Sequence, residues 1–246
     1  MVKLPIYFIS DCHFSLNMSD VERKNREKLF SLFKSIKSSG GTLVLGGDFF
    51  DFWFQYKYVI PKNYIEIIES LKALTDSGIS IHYVLGNHDY WDFGYFNDYI
   101  NINTYKNDFN LKFLNHNIKI THGDGLLKND YGYRFLKKII RSKLFIYLFK
   151  NFHPDWGCAL ASKISRSSSH YNHHDNKSQL IHKEIKNYAI KKWDEGFNTV
   201  LVGHYHQIGI EKEGKNKLIF MGDWLRHHTV TRLSEDGWDQ LKYNEI

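Results

Sequence analysis

The 246-residue chain is 42% hydrophobic and 16% aromatic, enough apolar content for one sizeable core, and its net charge of +6 suits an anionic partner such as phosphate, nucleic acid or an acidic membrane surface. With only Cys12 and Cys158, far apart in the chain, no disulfide framework is expected and a reducing compartment is. The apolar run near the start is too short for a secretory leader or a bilayer span, so a cytoplasmic protein is expected.

Residues 4–9 form an apolar run that predicts a buried strand, followed by a loop over 10–17. Ser19 or Asp20 then offers an N-cap, with Glu22 at a favoured position, and opens a helix that ends near Gly40-Gly41. Residues 42–45 predict a second strand, stopped by Gly46-Gly47. The spacing of Ile67, Ile68, Leu71 and Leu74 marks a helix over 64–75 closed by Gly78, and residues 79–85 follow as a third strand. Strand and helix alternating in this way predict a partly parallel sheet. Residues 111–114 and 118–121 read as neighbouring strands with a turn at Asn115-His116-Asn117.

Between 126 and 177 the pattern changes to helix-forming runs, a cationic and apolar block over 137–150, and a polar tract over 165–176. Together these predict an inserted helical cap. A helix over 178–195 and a buried strand over 199–202 return to the earlier pattern, and 208–213, 218–221, 229–233 and 238–243 alternate as an antiparallel set. The expected fold class is α/β, two packed mixed sheets flanked by helices, in a single domain over 1–246 with the cap at 126–177 as a lid.

Four short signatures fall on turns just after these strands: Asp11-Cys12-His13, Gly47-Asp48, Gly86-Asn87-His88-Asp89 and Gly203-His204-Tyr205-His206. In an α/β fold such turns share one sheet edge. Singly they are weak, since Asp-x-His and Gly-Asp are common turn sequences and His122, after the 118–121 strand, reads alone as a loop residue. Gly-Asn-His-Asp after an apolar strand is the most specific, because an amide oxygen is a hard neutral ligand that completes a metal site without adding charge. Asp11, His13, Asp48, Asn87, His122, His204 and His206 together offer three oxygen donors and four imidazoles, about what two borderline divalent cations need. Mixed imidazole and carboxylate donors without thiolate suit Mn, Fe or Zn. Asp48 is the natural bridge, and two cations about 3.5–4 Å apart can acidify a shared water and aim it in line at phosphorus. His88 stands beside them, free to contact a phosphate or protonate a leaving oxygen. Cys12 reads as a small residue beside the metals, His170, His173 and His174 as solvated residues of the polar tract, and His227-His228 as loop residues near the site.

These motifs, D-x-H, GD, GNH[DE], H and GHxH, resemble the calcineurin-like metallophosphoesterase superfamily over residues 6–224. The resemblance implies a four-layer α/β/β/α sandwich and the seven residues above as ligands of two divalent metals. It also implies His88 as the phosphate-contacting or proton-donating residue and Asp89 as the group that orients a neighbouring imidazole. Asp48-Phe49-Phe50-Asp51-Phe52-Trp53, the Asp130-x-x-Tyr133-Arg134-Phe135 stretch after His122-Gly123-Asp124, and Gly222-Asp223-Trp224 look like one branch, the UDP-2,3-diacylglucosamine hydrolases of lipid A biosynthesis. The branch resemblance implies cleavage of the pyrophosphate of UDP-2,3-diacylglucosamine to UMP and 2,3-diacylglucosamine 1-phosphate. Metal-bridging water would attack the α phosphorus, normally with Mn. It further implies Trp53 at the site rim and substrate contacts from Asp130, Tyr133, Arg166, Ser169 and Lys177.

The branch commonly carries Arg where this chain has His88, and Gly-Asn-His-Asp is the wider superfamily's form. The alternative is therefore a metallophosphoesterase of other specificity, a nucleotide pyrophosphatase or phosphodiesterase. A non-catalytic scaffold of the same fold would be expected to have lost ligands, and all seven are present. Lys137, Lys138, Arg141, Lys143 and Lys150 flank the apolar stretch at 144–149, a mixture that suits an anionic membrane face, a wall for acyl chains, or a cap helix packed on the body. The expected partner is a nucleotide-activated glycolipid rather than nucleic acid, met at the inner face of the cytoplasmic membrane by a peripheral protein.

Overall fold

The computed structural model describes residues 2–160 and 175–246, the side chains of 175–177 excepted. Strands β1 (Ile6–Ile9), β2 (Thr42–Leu45), β3 (Ser80–Val84) and β4 (Asn103–Tyr105) run parallel side by side. On the far side of β1, β10 (Thr229–Ser234) and β11 (Gly237–Lys242) extend the sheet antiparallel to six strands. The second sheet has the order β5 (Phe109–Phe113), β6 (His116–Thr121), β7 (Thr199–Val202), β9 (Asn216–Met221), β8 (Ile208–Glu213), with β6, β7 and β9 parallel and both edges antiparallel.

The two sheets pack face to face through Ile6, Phe8, Val44 and Val84 on one side and Leu111, Ile118, Ile120, Leu201, Ile219 and Met221 on the other. On the outer face of the first sheet, α1 (Asp20–Ser39), α2 (Ile65–Asp76) and α3 (Tyr95–Ile100) bury Leu29, Leu32, Ile36, Ile67, Leu71 and Phe96 against Leu43, Leu45, Ile81 and Tyr83. On the outer face of the second, α7 (Asp175–Asp194) buries Ile185 and Ala189 against Val200, Val202, Leu218 and Phe220. The result is the expected α/β/β/α sandwich of two mixed sheets. Strands buried on both faces need no polar alternation, which is why β1, β2 and β7 read as continuous apolar runs.

Local chemistry fixes the ends. Ser19 Oγ accepts from the Glu22 backbone N–H at 3.1 Å, capping α1, and Gly40 closes it with a φ of 76°. The β5–β6 hairpin is tighter than its sequence suggests: the turn falls on Leu114-Asn115, with exposed Leu114 at a φ of 50°, and His116 is already in β6. Neither α3 nor β4 has a readable period, being only 6 and 3 residues long.

Between β6 and α7 the chain forms α4 (Tyr131–Ile140), α5 (Lys143–Lys150) and the helical residues 154–160, here α6. Ser142 caps α5 by accepting from the Phe145 N–H at 3.2 Å. The inner side of this segment packs Ile140, Ile146, Phe149 and Cys158 on Phe52, Phe54 and Trp91, and Trp91 Nε1 donates to Ile140 O at 3.0 Å. Its outer side leaves Phe135, Leu136, Leu144, Tyr147, Leu148 and Trp156 between 51 and 69% exposed. Among the described residues, no helix is long and apolar enough to cross a membrane.

Candidate metal centre

Each of β1, β2, β3, β6 and β7 delivers its carboxyl end to the same edge of the sandwich, and each is followed by one of the chemical signatures. The loops after β1 and β2 are stitched together by backbone bonds, Asp11 N–H to Gly47 O at 3.0 Å and His13 N–H to Asp48 O at 2.9 Å. Asp48 Oδ1 accepts from His88 N–H at 2.9 Å, and both oxygens of Asp11 accept from His204 N–H at 2.9 Å. Each buried carboxylate thereby pins the loop of another strand.

Three sets of donors converge, their ligand atoms within 4.8 Å of one another: Asp11, His13 and His206; His13, Asp51 and His88; and Asp48, His122 and His204. Asp48 Oδ2 lies 3.2 Å from His122 Nε2 and 3.8 Å from His13 Nε2, so one carboxylate oxygen faces both halves of the cluster. His206 Nε2 is 3.6 Å from Asp11 Oδ1, and Asn87 Oδ1 is 3.2 Å from His122 Nε2. All seven residues singled out as metal donors are brought together. His122 Nδ1 is bound to Gly46 O at 3.0 Å and His88 Nδ1 to Asp51 O at 2.7 Å, which leaves each Nε2 turned toward Asp48.

The backbone is bent to make this possible. Among the described residues, eight that are not glycine have positive φ, and Asp11, His13, Asp48, His204 and His206 are five of them. Strain concentrated in this way marks a functional cluster. Glycines press against it where a side chain would not fit. A Cβ on Gly203 would stand 2.8 Å from Asp11 Oδ2, one on Gly47 2.7 Å from His122 Cγ, and one on Gly86 2.5 Å from the Asp48 nitrogen. The glycines of GD, GNHD and GHxH are thus a steric requirement of the donors beside them.

Charge follows the same geometry. Burial opposes ionisation of Asp48, but His122, His88 and His13 outweigh it and hold the carboxyl well below its usual range. Burial likewise disfavours the cations of His13 and His122, yet Asp51, Asp48 and Asp11 push His13 up to about 9, and Asp48 and Asp11 push His122 up to about 10. Burial and the neighbouring His122 push His204 down to about 4. Carboxylates that hold protons on nearby imidazoles hold divalent cations in the same places, with protons as competitors. Cys12 is no part of this set: burial and the charge of Asp11 raise its thiol well above the ordinary value, so it stays neutral. The donor set, imidazoles and carboxylates without thiolate, fits borderline divalent cations.

Other expectations need correction. Among the described residues, Asp89 has no hydrogen bond to an imidazole. Its carboxylate accepts from Tyr83 Oη, from the Phe49 N–H at 2.7 Å and from the Gly86 N–H at 2.7 Å, so it clamps the β2 and β3 loops together. Trp53 is not at a rim: it is 1% exposed, wedged among Phe50, Tyr95 and Phe96, because the core under α3 takes its large apolar ring. Tyr133 does reach the site, its Oη donating to Asp124 at 2.8 Å and its ring 6.3 Å from that of His204. Asp130 stands at the start of α4. Arg166, Ser169, His170, His173, His174 and the Lys177 side chain lie outside the described residues. Of the three arrangements open for the cations of this segment, Lys137 and Arg141 take the one packed on the body: Lys137 Nζ lies 2.6 Å and Arg141 Nη2 3.4 Å from Asp124 Oδ2. Lys138 and Lys143 remain exposed.

Several residues near the centre went unassigned from sequence. Asp51 Oδ1 lies 3.8 Å from both His13 Nδ1 and His88 Nδ1. Asp223 Oδ2 lies 4.0 Å from His206 Nδ1 and accepts from His227 Nδ1 at 2.6 Å. A signal for Asp223 was available, since Gly222-Asp223 follows β9 as Gly47-Asp48 follows β2.

A family model described as calcineurin-like phosphoesterase matches residues 4–208. The chain is 22% identical over 242 residues to a UDP-2,3-diacylglucosamine hydrolase of Porphyromonas gingivalis, covering 91% of this chain and 92% of the relative. It is 25% identical over 237 residues to a UDP-2,3-diacylglucosamine hydrolase of Pseudomonas fluorescens, covering 95% and 93%. Among solved structures, an archaeal phosphodiesterase superposes with a TM-score of 0.47 at 15% identity, over 97% of this chain and 99% of that one.

Proposed function

The chain belongs to the calcineurin-like phosphoesterase family of phosphoester and phosphoric anhydride hydrolases, and within it we propose that it cleaves the pyrophosphate of UDP-2,3-diacylglucosamine to UMP and 2,3-diacylglucosamine 1-phosphate. The observation that carries this reading is the helical segment after β6. It is fastened to the centre at Asp124, two residues past His122, and turns a broad apolar face outward. Several large apolar side chains exposed on one segment mark a surface that meets a partner or a membrane. Two cavities suit an amphiphilic substrate. One, of about 600 Å³, lies between α6 and the loop carrying Tyr56, Val59 and Ile60. The other, of about 570 Å³, is lined by His182, His206, Gln207, Glu211 and His227. The first would take an acyl chain and the second the nucleotide.

Asp11, His13, Asp48, Asn87, His122, His204 and His206 would hold two divalent cations, Mn by preference, which when bound supply Lewis acidity and activate water for in-line attack at the α phosphorus. The chain's own contribution is position. Asp48 stands between the two donor groups, Gly46 O and Asp51 O fix the tautomers of His122 and His88, and Asp89 locks the two loops. His88, when doubly protonated, presents Nε2–H to a phosphate or leaving oxygen. The helical segment serves as a lid, and the protein works at the inner face of the cytoplasmic membrane, with the exposed apolar face against lipid. His88 also favours a second reading, a nucleotide pyrophosphatase or phosphodiesterase.

Purified protein with Mn is incubated in H₂¹⁸O with UDP-2,3-diacylglucosamine and, separately, with an aryl phosphodiester. The expected result is UMP carrying the label, and none formed by Asp48→Ala. Hydrolysis of the diester with the lipid left intact would establish the second reading. Label in the lipid phosphate would place attack at the β phosphorus, and inactivity on both would leave a scaffold.

A further inference from the structure

Asp124 Oδ2 has more donors around it than its charge requires. Tyr133 Oη donates at 2.8 Å and Lys137 Nζ lies at 2.6 Å, whereas Arg141 Nη2 stands off at 3.4 Å. Lys137 alone balances Asp124. Arg141 therefore leaves this group with one positive charge in surplus, on a side chain only 17% exposed. A half-buried cation short of countercharge calls for an anion to complete it.

Its position indicates which anion. Arg141 Nη2 also reaches Gly86 O at 3.5 Å, the residue before Asn87. Its guanidinium carbon lies 3.8 Å from the ring centroid of Tyr90, at the other end of the same loop. Stacking on Tyr90 holds the plane of the fork. Hydrogen bonds from Arg141 to described residues all run through Nη2, which leaves Nε and Nη1 to a ligand. The attacked phosphorus belongs beside Asp48, where the donors gather. In a diphosphate a second phosphate sits one bridging oxygen further on, and one of its anionic oxygens can accept a charge-assisted hydrogen bond from Nε–H or Nη1–H.

We propose that Arg141 binds the second phosphate of a diphosphate substrate and thereby sets the centre's preference for phosphoric anhydrides over simple phosphodiesters. This rests on the hydrolase reading above and adds a specificity determinant that travels with the α4–α5 segment.

Titration calorimetry of the Mn-loaded full-length protein, at equal free Mn in cell and syringe, compares methylenediphosphonate, whose P–C–P link resists hydrolysis, with methylphosphonate. Arg141→Gln is expected to weaken diphosphonate binding by ~10-fold or more, the loss of a charge-assisted hydrogen bond, and methylphosphonate binding by under ~3-fold. Arg141→Lys keeps the charge without the planar guanidinium that stacks on Tyr90 and should fall between Arg141→Gln and wild type. Thermal melts confirm that each variant is folded, and Arg141→Lys carries the test if Arg141→Gln is not. An equal loss for both ligands, which a lid tether alone would give, or no loss for the diphosphonate, overturns the assignment. Should the wild type leave UDP-2,3-diacylglucosamine intact, the lipid reading fails while this contrast still decides the role of Arg141.

Discussion

Replacing Gly86 with alanine adds a single carbon at the tightest point beneath the proposed bridging carboxylate. The new Cβ would stand 2.5 Å from the Asp48 backbone nitrogen and 2.9 Å from its Cγ, where ordinary contact begins at 3.4 Å, so the nitrogen must retreat by 3.4 − 2.5 = 0.9 Å. The φ of Gly86 is not positive, so alanine meets no backbone penalty of its own and the effect is purely spatial. Overpacking of this kind costs about 1–3 kcal/mol. Its larger effect is on chemistry, because Asp48 Oδ1 holds the His88 N–H and Asp48 Oδ2 faces both His13 and His122. A misplacement near 1 Å lowers rate by about 100-fold. The expected Gly86→Ala protein is folded, melts a few degrees lower, retains less than two metal equivalents by mass spectrometry, and turns over at about 1% of the wild-type rate or less. Gly78→Ala is the control: its φ of 90° strains alanine but its Cβ meets nothing within 4 Å, so it should lower stability and spare metal content. Wild-type metal content and turnover in Gly86→Ala would refute the claim that this glycine makes room for Asp48.

His88→Ala should leave metal content near normal and lower turnover by about 10²–10⁴-fold if the residue is a general acid; unchanged turnover in a steady-state assay would remove that role. His82, buried on β3 against Phe109 and bonded to Tyr105 Oη at 2.9 Å, is pushed down to about 4 by burial. Because its folded value lies below the unfolded 6.5, its contribution is complete above pH 6.5 and is lost as pH falls through about 4. After allowance for partial solvent screening that is about 1–2 kcal/mol. Chemical denaturation of wild type and His82→Gln across this window should show a shallower acid loss in the variant, and parallel profiles would contradict the assignment. Leu144→Ser with Tyr147→Ser, both on the outward face of α5, should reduce co-sedimentation with anionic liposomes several-fold without lowering the melting temperature. Equal sedimentation would dismiss the membrane contact.

What could be read from residues alone was whatever is encoded locally. Ser19, Gly40 and the four-residue apolar runs of β1, β2 and β7 each carry their own instruction, and the motif loops follow strands whose parallel order puts their ends together. The long helix before β7 was expected from 178, and among the described residues it is already helical at Asp175. The inward and outward cations of the helical segment could not be told apart because their partner is distant in sequence: on a helical wheel Lys137 and Lys138 look alike, and only the approach of Asp124 separates them. Trp53 was misplaced for a similar reason, since α3, which closes over it, has no sequence signal of its own. Arg141 had no readable role until Tyr90 and Gly86 were seen beside it.

The left-handed backbone at Asp11, His13, Asp48, His204 and His206 has an evolutionary consequence. Such conformations disfavour L-residues by roughly 1 kcal/mol or more apiece, so relaxing them with glycine would harden the fold while destroying the donors. Lineages adapting to heat could not take that route and stay active. Their gains would have to come from the helical layers and outer loops, so these five positions should remain fixed while the surrounding scaffold drifts.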